Sequence, residues 1–172
     1  MFLILFICLG SAYAQEEPQG SGENNTGKTT VGESNPSTPL NAGEGSYTTL
    51  RNEIGNGGNV TLTQSTYNWV SGEGSETIKI NTSGVIDGKG AVINMRGSPE
   101  LLIFDVECDG VTFKNITIYN VHGGTVSFQN SGSVIDCSFY ANRADDGGAV
   151  RFGGGGSVIN CSFTVNRADN TE

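Results

Sequence analysis

Ser133-Val-Ile-Asp-Cys-Ser-Phe-Tyr-Ala-Asn-Arg-Ala-Asp-Asp146 returns as Ser157-Val-Ile-Asn-Cys-Ser-Phe-Thr-Val-Asn-Arg-Ala-Asp-Asn170, an offset of 24 residues without insertion. Gly123-Gly-Thr-Val-Ser-Phe128 becomes Gly147-Gly-Ala-Val-Arg-Phe152 at the same offset. A period of this size marks a solenoid, whose units bury their apolar faces only against their neighbours. Helical repeats need longer units and helix-forming residues, and a leucine ladder is missing. Short runs of Val, Ile and Phe punctuated by Gly, Asn and Asp read instead as brief strands and tight turns. The expected fold is therefore all-β: a right-handed parallel β-helix of about five coils.

Alternation decides which side chains point inward. Val150 and Phe152 flank an outward Arg151, and Cys137 and Phe139 repeat as Cys161 and Phe163 around outward serines. These six residues are expected to form ladders up the core. Asn142 and Asn166 follow the phenylalanines where each strand must end; asparagine tolerates left-handed backbone, and stacked amides can bond along the axis. Upstream, Ile116 and Ile118 take the inward slots of Cys137 and Phe139, and the apolar run Leu101-Leu-Ile-Phe104 reads as a further strand.

The chain has 172 residues, and its 26 glycines reflect turns. A net charge of −9, from 18 acidic and 9 basic residues, argues against nucleic acid or an anionic membrane as partner. Residues 1–14 carry an apolar run, Phe2 to Leu9, that ends in Ser-Ala-Tyr-Ala14, as a cleaved secretory signal does. The run is too short to span a bilayer. Residues 15–46 hold few large apolar side chains and are expected to be a disordered linker. The β-helix domain is placed at 47–172. Tyr47, Leu50 and Ile54 lie at helical spacing, with Ser46 or Thr48 as cap, which predicts a short helix closing the first coil. The chain stops in a turn after the second clear repeat, suggesting further coils in a longer parent protein.

Gly147-Gly-Ala-Val150, Phe139-Tyr-Ala-Asn142 and Phe163-Thr-Val-Asn166 resemble the paired GGA-[ILV] and FxxN motifs of polymorphic outer membrane protein repeats. Such repeats occur in chlamydial autotransporters and in adhesin-like surface proteins of methanogenic archaea. The segment from Tyr47 to Leu62 resembles the start of the archaeal domains. Ile86-Asp-Gly-Lys-Gly-Ala-Val-Ile93 is similar to the first full coil of many β-helices, pectate-lyase-like ones included. Gly123-Gly-Thr-Val126 departs from the motif by threonine, and these 172 residues contain no stretch that reads as the bacterial C-terminal membrane barrel. The resemblance implies a secreted or cell-surface, adhesin-like protein that binds glycans or the surface proteins of a host or neighbouring cell, without catalysis.

Outward rows suited to such contacts are Asn142 with Asn166, Arg143 with Arg167, and Asp145 with Asp169. The competing reading is a carbohydrate-active β-helix, a polysaccharide lyase or glycoside hydrolase, missing its active coil. Asp145 and Asp146 would be its carboxyl pair and His122 its histidine. Against it, the aspartates sit in a repeated turn, where Arg143 and Arg167 can pair with Asp145 and Asp169. No cofactor is expected, and the cysteine spacing offers no zinc pattern. Gly153-Gly-Gly-Gly156 lacks the aspartate of a calcium β-roll. Cys137 and Cys161 stack closely enough for a bridge but read better as core fillers.

Overall fold

A computed structural model describes residues 43–169. The signal-like segment, residues 15–42 of the expected linker, and residues 170–172 lie outside that range. The elements are β1 (Glu44–Ser46), α1 (Tyr47–Ile54), β2 (Val60–Thr61), β3 (Thr66–Asn68), β4 (Ile78–Ile80), β5 (Gly84–Asn94), β6 (Phe104–Val106) and β7 (Val111–Tyr119). There follow β8 (Val126–Phe128), β9 (Gly132–Ile135), β10 (Ser138–Tyr140), β11 (Arg143–Ala144), β12 (Val150–Phe152), β13 (Gly156–Ile159), β14 (Ser162–Thr164) and β15 (Arg167–Ala168). Every strand pairing is parallel, and the chain winds as a β-solenoid of about five turns.

The sequence repeat becomes spatial register. Ser138, Phe139 and Tyr140 lie beside Ser162, Phe163 and Thr164, and on their other side beside Thr117, Ile118 and Tyr119. A second sheet runs β4-β6-β8-β12, setting Phe104 beside Val126 and Val126 beside Val150. Like residues stack on like: the Phe139 and Phe163 rings lie 5.1 Å apart and Phe128 and Phe152 5.0 Å apart, both pairs nearly parallel. Such stacking adds about 0.5–1.5 kcal/mol per pair beyond area burial. The GGA motif also acquires a cause. Gly147 has φ +64°, and a Cβ on Gly148 would lie 2.2 Å from the Arg167 carbonyl oxygen of the next coil.

Helix α1 caps the stack as its spacing predicts. Ser46 is the cap, in a reciprocal box with Thr49, while Tyr47, Leu50 and Ile54 join the core. Four expectations need correction. Glu44–Ser46, assigned to the linker, is a strand beside Thr66–Asn68, because ladder hydrogen bonds do not require apolar side chains. The strand expected at Leu101–Phe104 begins only at Phe104, though Leu101 and Ile103 are buried. The core ladder is not uniformly buried: Cys137 and Phe139 are, Val150, Phe152 and Cys161 only partly, and Phe163 is 47% exposed. These last belong to the final described coil or the flank leading into it, where stacking covers one side only. Lastly, Ala141 and Val165 take the left-handed backbone expected of Asn142 and Asn166.

Candidate functional site

The asparagines have a different task. Asn142 is fully buried, so it is not the contact residue the sequence suggests. Its Oδ1 accepts from the Val121 N–H at 3.1 Å, and its Nδ2 donates to the Ile118 carbonyl and to Asn166 Oδ1, each at 3.0 Å. Asn166 repeats the pattern, accepting from the Asn142 N–H and donating to the Phe139 carbonyl. The pair is an internal amide ladder that serves backbone groups freed where the strand bends.

Arg143 and Arg167 are exposed side by side in the short β11–β15 sheet. Arg167 pairs with Asp169 as anticipated, whereas Arg143 reaches across the coils to Asp169 as well. Partial burial pushes the Asp169 carboxyl up, but the two guanidiniums outweigh it and hold the group below its ordinary range. Cys108, Cys137 and Cys161 are free thiols.

A recess lies beside this row, and its origin is in corner lengths. The corner after the strand pair containing Tyr119 spans six residues, 120–125. The equivalent corners at 69–77, 95–103 and 141–149 each span nine. His122 bridges to Arg143, and Val126 pairs with Val150, so residues 144–146 have no counterpart in the coil beside them. A short corner between two long ones leaves a gap. Its floor is Gly123 and Gly124; one wall carries Glu100, the other Ala144, Asp145 and Asp146. The floor is close to the first wall: a Cβ on Gly123 would lie 2.5 Å from the Leu101 nitrogen. Two connected hollows of about 340 and 400 Å³ result, the second extending over Ser127 to Arg151.

The sequence reading named His122, Arg143, Asp145 and Asp146, and the structure brings all four to this recess. Asn166, Arg167 and Asp169 are not among its lining residues. Glu100 and Arg151 were missed as site residues. The available signal was the spacing of Ile118 to Phe139, three residues shorter than Phe139 to Phe163. Among the described residues, no His, Cys, Asp and Glu side chains are grouped to hold a metal ion, and no helix is long and apolar enough to cross a membrane. Comparison with protein-family models, curated proteins and solved structures returned no match.

Proposed function

We propose that this chain is a secreted or cell-surface β-helix of adhesin-like type, which binds glycan or protein surfaces without chemistry. The observation that carries this reading is the in-register stacking of outward polar residues. Thr117, Ser138 and Ser162 form one row and Arg143 with Arg167 another, each step one strand spacing of about 4.8 Å. Repeated modest contacts at fixed spacing suit an extended partner, because each added contact multiplies the effect of the last. The signal-like residues 1–14 supply the route out of the cell. The likeness to GGA-[ILV] and FxxN repeats supports the same reading.

A second reading rests on the recess, which gathers Glu100, Asp145 and His122 around one hollow. Two carboxyl groups facing one cavity are the minimum for hydrolysis of a sugar bond. One experiment separates the two. The protein is applied to glycan and cell-surface protein arrays, then incubated with pectin-like and neutral polysaccharides. Saturable binding with unchanged polymer length supports adhesion. Bond cleavage, lost in Glu100→Gln or Asp145→Asn, removes it in favour of the enzyme.

A further inference from the structure

We propose that Asn59 and Asn81 are acceptor sites for N-linked glycan. This rests on export by residues 1–14 and goes beyond surface binding. Five asparagines open an Asn-x-Ser/Thr triplet: Asn24, Asn59, Asn81, Asn115 and Asn160. Such triplets take sugar where a secreted chain exposes them. Asn24 lies outside the described residues. The other four divide by what their amide nitrogens do.

Sugar is attached at Nδ2, so the hydrogen bonding of that atom governs access. Asn115 donates from Nδ2 to Asp87 Oδ1 at 3.1 Å, and Asn160 from Nδ2 to Asp136 Oδ1 at 3.3 Å. Each stands in left-handed backbone, at φ +53° and +51°, with its amide tied to the neighbouring coil. Asn115 is also half-buried, and a Cβ on Gly88 of the adjacent coil would lie 2.6 Å from its carbonyl oxygen. The hydroxyl residues of these two triplets are held in the sheet. Thr117 pairs with Val92 and Ser138, and Ser162 with Ser138.

Asn59 and Asn81 show the reverse. Asn59 accepts at Oδ1 from the Val85 N–H at 3.0 Å, and Asn81 accepts at Oδ1 from the Thr82 hydroxyl at 3.3 Å. Both residues are exposed, and among the described residues nothing accepts from either Nδ2. Asn81-Thr82-Ser83 is an exposed corner between β4 and β5, and Asn59-Val60-Thr61 runs from a two-glycine turn into the short β2. The two turns stack: Gly57 bridges to Thr82, and the Asn81 N–H donates to the Asn56 carbonyl. Both glycans would stand on one corner of the first coils. The Arg143 and Arg167 row belongs to the last described coils and stays uncovered.

The donor is an oligosaccharide carried on a lipid diphosphate. Nδ2 gives a proton to a base of the transferase and bonds the anomeric carbon. The bond from that carbon to the diphosphate oxygen breaks, and its electron pair leaves with the diphosphate.

The test is secretion of the full chain from a eukaryotic cell line, then enzymatic removal of N-linked sugar in heavy-oxygen water. Each occupied asparagine becomes a mass-tagged aspartate, read by peptide mass spectrometry. The expected result is a tag at Asn59 and at Asn81 in the secreted protein, and none at Asn115 or Asn160. Asn59→Gln and Asn81→Gln should each remove one glycan's mass from the intact protein. So should Thr61→Ala and Ser83→Ala, which keep the asparagine. All four substituted side chains are exposed, so circular dichroism should show an intact fold. A tag at Asn115 or Asn160 as strong as those at Asn59 and Asn81 overturns the assignment, as transfer indifferent to the fold would produce. An untagged Asn59 or Asn81 removes that site. A chain retained in the cell counts against the export reading alone. The same chain with a proven secretory leader in place of residues 1–14 then decides both sites by the same tags.

Discussion

Asn142 shows how one residue type can be read correctly for its position and wrongly for its role. The sequence places it where a strand ends, and there asparagine usually supplies either a left-handed backbone or an exposed amide. The structure gives the backbone task to Ala141, at φ +52°, and turns the amide inward. Removing that amide leaves the Val121 N–H and the Ile118 carbonyl unserved in the interior. At about 1–3 kcal/mol for each buried polar group left unpaired, Asn142→Ala should cost about 2–5 kcal/mol. Asn166→Ala should cost less, because its surroundings are partly solvated. Urea denaturation of the two variants checks the order, and equal losses would contradict the ladder. Cys137 is a second case. Burial pushes its thiol up to about 11, although hydrogen bonding with the backbone at Ile116 and Ile135 opposes the shift. In a chain with Cys8 replaced by Ser, a disulfide reagent at neutral pH should modify Cys108 and Cys161 well before Cys137. All three should react together in denaturant.

Among the elements, α1 depends on a residue distant from it in sequence. Glu73 accepts hydrogen bonds from the backbone N–H groups of Tyr47, Thr48 and Val70, at 3.3, 2.7 and 2.5 Å. The first two lie at the helix start, where exposed N–H groups attract a carboxylate. Burial pushes the Glu73 carboxyl up, but hydrogen bonds from Thr48, Ser46 and Val70 outweigh it and hold the group below the ordinary range of a glutamate. The folded state thus prefers the ionised form. The stability Glu73 contributes is present above its unfolded pKa and is lost as pH falls through the lower folded one. Glu73→Gln should therefore cost about 1–2 kcal/mol at neutral pH, by analogy with losing a helix cap, and little at strongly acidic pH. Thermal melts across the acid range would show the two proteins converging; a constant gap would rule out the charge. The apolar spacing of α1 was visible in the sequence, as was its Ser46 cap. Its acidic partner was not, since 25 residues separate Thr48 from Glu73 and no repeat relates them.

At the scale of the molecule, the repeat makes the architecture legible because in-register stacking converts sequence identity into contact. The offset of Phe139 to Phe163 becomes a ring pair, and that of Ser133 to Ser157 becomes strand register. The recess was illegible for the converse reason. It arises where the offset changes, and a shortened corner carries no residue that announces it. Only the shortened spacing from Ile118 to Phe139, with Gly123 and Gly124 at the GGA positions, marks the spot. The same stacking logic governs stability, because each coil is held mainly by its two neighbours. Strand β7 has β5 on one side and β9 and β10 on the other. Among the described residues β14 pairs with β10 alone, and its Phe163 is 47% exposed whereas Phe128 is buried. Phe128→Ala should cost about 3–5 kcal/mol, as fully buried aromatics do, and Phe163→Ala about half as much. Amide hydrogen exchange should separate the two in space as well. In the parent chain, protection should fall from β7 towards β14, the end with fewer partners. Phe163→Ala should speed exchange around Ser162–Thr164 and leave Val111–Tyr119 as it was, whereas Phe128→Ala should loosen the flanking strands β6, β8 and β12 together. If Phe163→Ala instead raised exchange equally throughout, the coils would be unfolding as one block, and a ladder of neighbour-by-neighbour contacts would be the wrong description of this molecule.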